Sequence, residues 1–80
     1  MEKLKELIAR VMGVDKKEII LNSSPDSITS WDSLSGLMLF SELEKNFDIE
    51  FTMEEIMIMQ NVEDIKNVLE KHGVSDGLEI

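Results

Sequence analysis

Eighty residues make one domain at most, and a chain this short buries only about 60% of the surface that it exposes when unfolded, so its core is modest. Seventeen acidic residues against eight basic ones leave a net charge of −9, which opposes DNA or RNA binding, where Lys and Arg must neutralise phosphates, and disfavours anionic membranes. With no cysteine and one histidine, disulfides, cysteine metal centres and multi-histidine sites are excluded.

There is no apolar run of the ~18 residues that a transmembrane helix needs. The opening Met1-Glu2-Lys3-Leu4-Lys5-Glu6 alternates charge and lacks the apolar stretch of a signal peptide. The chain is therefore read as cytoplasmic, without stable membrane association and monomeric by default. Its acidity suits encounters with basic patches on partners.

Leu4, Leu7, Ile8, Val11 and Met12 fall on one helix face, and Gly13 is placed to end that helix in a left-handed cap. Asp15-Lys16-Lys17-Glu18 is polar, and Ile19, Ile20 and Leu21 form a short apolar clump. Asn22-Ser23-Ser24-Pro25-Asp26-Ser27 is dense in turn formers. It opens a long loop expected to run to Trp31, pinned to the core by Ile19, Leu21 and Ile28.

Asp32 is a good N-cap for a second helix, from Ser33 to about Asn46. This helix carries more apolar surface than one buried stripe needs. Leu39, Phe40, Leu43 and Phe47 make one face, and Leu34, Leu37, Met38 and Ser41 an adjacent one. The second face is expected to be either covered by the long loop or left open for a partner.

Asp48-Ile49-Glu50-Phe51 alternates like an extended link. Thr52 and Glu55 form a capping box that opens a short helix through Ile56, Met57 and Met59. Asn61 caps a last helix with Val62, Ile65, Val68 and Leu69 on one face, Lys71 and His72 in its final turn and Gly73 at its end. Residues 74–80 read as a flexible tail beyond a domain of residues 1–73. The fold class is all-α: an irregular four-helix bundle with three longer helices, a short third helix and a long first loop.

The stretch Trp31-Asp32-Ser33-Leu34-Ser35 places a hydroxyl in the first turn of a helix at the end of an exposed loop. A phosphodiester on that hydroxyl would sit beside unpaired backbone N–H groups and the positive end of the helix dipole. Residue chemistry alone favours a plainer role, with Asp32 as N-cap and Ser33 as a filler of the first turn.

The stretch resembles the Asp-Ser-Leu motif of acyl carrier proteins and related peptidyl carriers, and the similarity runs over roughly residues 4 to 72. Residues 12–19 resemble the end of the family's first helix and the start of its long loop. Residues 43–51 resemble its second helix running into the following link. The resemblance implies a 4'-phosphopantetheine arm joined covalently to Ser33 by a phosphopantetheinyl transferase, with Asp32 and Leu34 flanking it. Cargo would be held as a thioester on the arm's thiol, so a cysteine-free chain would do thiol chemistry while catalysing nothing itself. It also implies that acyl-loading ligases or synthases dock on the second helix, at Leu34, Leu37, Met38, Ser41 and Glu44, with Met57 on the short helix nearby. An aminoacyl or peptidyl carrier, or an unmodified relative that only binds partners, are the competing readings.

The chain departs from housekeeping fatty-acid carriers, which usually have an acidic-Leu-Gly-Ala run before the motif and an acidic residue just after it. Ile28-Thr29-Ser30-Trp31 and Ser35 stand there, and Met38 occupies a further acidic position. Fatty-acid, polyketide and modified-lipid cargo all stay open, with a dedicated pathway favoured. Met12, Met38, Met53, Met57 and Met59 suggest either an adaptable acyl cavity or ordinary filler. His72 lacks the spacing for a catalytic triad with Ser33, and residues 26–35 lack a calcium-loop pattern.

Overall fold

The computed structural model describes residues 2–80. Its order is α1 (Leu4–Met12), a 3₁₀ turn (Lys16–Glu18), α2 (Ser33–Phe47), α3 (Met53–Ile58) and α4 (Val62–Lys71), with no strand among the described residues. The expected bundle of three longer helices and one short one is what forms.

The helix ends follow local chemistry. Gly13 takes φ 70°, and its N–H reaches back to the carbonyls of Ala9 and Arg10 to close α1. Asp32, Thr52 and Asn61 each accept a hydrogen bond from the N–H three residues on, starting α2, α3 and α4. Asp48 ends α2 at φ 56°, one residue beyond the expected boundary, a conformation that an Asx residue tolerates better than most. Asp15 and Glu18 form a further capping box that nucleates the 3₁₀ turn, an element not expected from the polar run 15–18.

The core draws on every helix. Leu4, Leu7 and Ile8 of α1, Leu39 and Leu43 of α2, and Val62, Ile65 and Leu69 of α4 are fully buried. α3 is too short to own a core face and contributes Ile56, half-buried, and Met59 just past its end. The long loop closes one side of the bundle through Ile19, Ile28 and Trp31. Leu21, expected to help there, stands outside at 40% exposure. Its carbonyl is what the fold uses, accepting from the Glu63 N–H at 3.0 Å, while Ser23 accepts from Val62 N–H at 3.0 Å.

Residues 74–80 are not the loose tail that the sequence suggests. The Gly77 carbonyl accepts from Leu4 N–H at 2.7 Å, Leu78 is buried in the core, and Lys5 Nζ donates to the Ile80 backbone oxygen at 3.0 Å. The segment covers the start of α1, and burying Leu78 alone is worth about 1.5–3 kcal/mol.

Candidate functional site

Ser33 is the first residue of α2 and is exposed. Its hydroxyl has no hydrogen-bond partner in the protein among the described residues. The turn beneath it is held from three sides. The Asp32 carboxylate accepts from Ser35 N–H at 2.9 Å, and Ser35 Oγ accepts from Asp32 N–H at 2.8 Å. Ser35 Oγ also donates to the Ser30 carbonyl at 2.7 Å, and Ser30 Oγ donates to the Met12 carbonyl at 2.6 Å. The end of α1, the loop and the start of α2 are thereby tied into one rigid corner. The Ser35 amide bond holds the Asp32 carboxyl below its usual carboxylate range, so Asp32 stays ionised as a cap.

Beside this corner runs a shallow groove of about 400 Å³, its walls including Pro25, Trp31, Ser33, Leu37, Phe40 and Met59. Trp31 lies so close to α2 that a Cβ on Gly36 would stand 3.3 Å from the indole Nε1. Ser30, Ser35 and Gly36 were not singled out as parts of the site from sequence. Serine three residues after a cap does not carry the Glu or Gln signature of a capping box, and a glycine inside a helix gives no hint that the indole of a tryptophan before the helix packs on it.

The residues fit a phosphate-linked arm on Ser33. The hydroxyl is open, the amides of the first turn and the helix dipole favour a nearby anion, and an apolar groove begins at the same residue.

The two faces of α2 divide as the spacing predicts. Leu39, Phe40, Leu43 and Phe47 are buried, whereas Leu34, Leu37 and Met38 are 70%, 59% and 54% exposed, and Ser41 is open. Met57 is 70% exposed on α3. Glu44 departs from the expected partner-facing role. It is half-buried, and its carboxylate accepts from Phe51 N–H at 2.8 Å, fixing the link after α2. The five methionines share no cavity: Met12 and Met59 are buried, while Met38, Met53 and Met57 are exposed.

Glu55 does more than cap α3. It is buried, and both carboxylate oxygens lie 3.0 Å from His72 Nε2, with Lys71 Nζ at 3.8 Å. His72 packs edge-on to Phe51, which meets Phe40 in the same way. This pairing fastens α3 to the end of α4 and engages the His72 ring with Glu55 and Phe51. No metal-binding cluster occurs among the described residues, and no helix of the structure is long and apolar enough to cross a membrane.

The family profile described as "Phosphopantetheine attachment site" matches residues 2–69. An acyl carrier protein of Clostridium acetobutylicum is 38% identical over 71 residues, covering 89% of this chain and 92% of that protein. An acyl carrier protein of Phytoplasma mali is 30% identical over 71 residues, covering 89% of this chain and 84% of the relative.

Proposed function

This chain belongs to the acyl carrier protein family of phosphopantetheine-bearing carriers, and we propose that Ser33 is where its arm is attached. It is a carrier and not an enzyme. The 4'-phosphopantetheine group that the family bears supplies a thiol able to hold an acyl group as a thioester. The observation that carries the Ser33 reading is the exposed, unpartnered hydroxyl on the first residue of α2, at the mouth of an apolar groove.

The chain's own residues set up that attachment. Asp32, Ser35 and Ser30 brace the first turn of α2, on which Ser33 is exposed at the edge of the groove. The dipole of a fifteen-residue helix stabilises the negative charge of a phosphodiester placed there. Leu34 and Leu37, beside Ser33, offer the first apolar contacts to an incoming enzyme.

A phosphopantetheinyl transferase would join the arm to Ser33 Oγ from coenzyme A. Acyl-loading ligases or synthases would then use the carrier in fatty-acid, polyketide or related specialised biosynthesis, in the cytoplasm and with the carrier monomeric. The missing acids at Ser35 and Met38 favour a dedicated pathway over housekeeping fatty-acid synthesis.

Intact-mass analysis after incubation with coenzyme A and a transferase of broad specificity tests the attachment. One added arm in the wild type, absent in Ser33→Ala with helicity unchanged, is the expected result. Unaltered mass in the wild type would overturn it and leave a module that only binds partners.

A further inference from the structure

We infer that the Trp31 indole N–H binds the arm, donating a hydrogen bond to an oxygen at its phosphate end, and that Gly36 is glycine to leave that N–H uncovered; the inference rests on the Ser33 reading above. Trp31 is only 5% exposed and belongs to the core, yet its N–H donates to no protein acceptor among the described residues. The N–H of a buried tryptophan usually finds a partner, so an unpartnered one asks for a reason.

No side-chain nitrogen or oxygen among the described residues is both sealed from solvent and without a partner, so this N–H is open at its tip. The groove beside Ser33 is where it opens. Trp31 and Gly36 both line that groove, and Nε1 is the indole atom nearest to where a Cβ on Gly36 would stand, at 3.3 Å.

The floor of the groove is one stripe of α2: Ser33, Gly36, Leu37 and Phe40, at i, i+3, i+4 and i+7. An arm on Ser33 that follows this stripe crosses Gly36 first, about 4.5 Å along the helix axis. There the missing side chain gives the indole its place, and a methyl group would crowd the N–H more tightly than ordinary van der Waals contact allows. The other walls have no donor to offer. Pro25, Leu37, Phe40 and Met59 carry none, and the ionised Asp32 carboxylate only accepts. Once Ser33 Oγ carries phosphorus, the indole N–H is the one side-chain donor left in this wall. The phosphate end of the arm presents acceptors, and a charged phosphodiester oxygen makes a hydrogen bond about twice as strong as a neutral one does.

The experiment compares the protein before and after arm transfer from coenzyme A, with intact mass reporting the arm and NMR reporting the indole. The chain has one tryptophan, so its indole N–H resonance is unambiguous. Attachment is expected to move that resonance downfield and to slow its exchange with water about five-fold or more, the effect of one hydrogen bond of ordinary net strength. In Gly36→Ala, with far-UV CD unchanged, the arm is added but both changes are lost. Trp31→Phe keeps an aromatic ring and removes the donor. There the arm is added, and its single ³¹P resonance departs from the wild-type position.

An indole resonance that keeps its armless position and exchange rate in a protein whose mass shows the arm would overturn the inference while leaving Ser33 in place. A ³¹P resonance identical in wild type and Trp31→Phe would do the same. Wild-type protein that gains no arm by mass would remove the Ser33 reading and this inference with it.

Discussion

Helices α2 and α4 begin with the same chemistry and end up with opposite exposure. Asp32 and Asn61 each accept through Oδ1 from the N–H three residues on, at 2.9 and 2.8 Å. At α4 the next two amides, of Val62 and Glu63, donate to the loop carbonyls of Ser23 and Leu21, and the Val62 side chain is fully buried. At α2 the first residue carries a free hydroxyl, the second is 70% exposed, and a groove opens alongside. A capped helix start is therefore not a site in itself. It becomes one where the rest of the chain leaves it uncovered and holds it rigid, as Ser30 and Ser35 do for α2.

That contrast can be broken at four places. The largest effect is expected at the sealed start. Val62→Ser puts a hydroxyl in the position equivalent to Ser33, but buried, and costs about 2–4 kcal/mol in urea unfolding. In a Ser33→Ala background it takes up no arm by intact mass. Next, Ser23→Ala removes a buried hydroxyl that accepts from Ile20 N–H at 2.9 Å and donates to the Glu18 carbonyl. It costs about 1–3 kcal/mol by the same assay while leaving arm transfer at low temperature unchanged.

At the open start, Asp32→Ala costs about 1 kcal/mol of stability, read from the urea midpoint, and Asp32→Asn recovers most of it because an amide oxygen also caps. The smallest effect is at the third start, α3. The Thr52 amide, and after it His72, hold the Glu55 carboxyl below its ordinary value of 4.5. A folded value below the unfolded one stabilises the fold at pH above the unfolded value, and this contribution is lost as pH falls through the folded value. The wild-type urea midpoint therefore drops on acidification below about 4.5, and Glu55→Gln, weaker at neutral pH, drops less over that window.

The four helices were legible because their ends are written locally. Gly13, Asp32, Thr52, Asn61 and Gly73 stop or start each rod with their own side chain or backbone freedom, and the periodicity of α2 and α4 separates buried from open faces. The position of Ser33 at a helix start was legible for the same reason.

What escaped reading depends on contacts between distant residues. The 74–80 segment carries only Val74, Leu78 and Ile80 as apolar cues, in no helical or strand period, too few to announce that Gly77 bonds to Leu4, 73 residues earlier. Leu21 looks like a core residue, yet its backbone position, set by the α4 amides, turns its side chain out. Glu44 reads as a partner-facing acid and Glu55 as a helix cap alone, because nothing in their neighbourhood along the chain shows that the Phe51 amide and His72 engage them.

The chain's single tryptophan stands in the wall of the groove that starts at Ser33, pressed against Gly36 and two residues from the hydroxyl. The protein thus carries a built-in fluorophore at its working end. Its emission, in the native and unlabelled molecule, gauges whether the groove is empty, wet or filled.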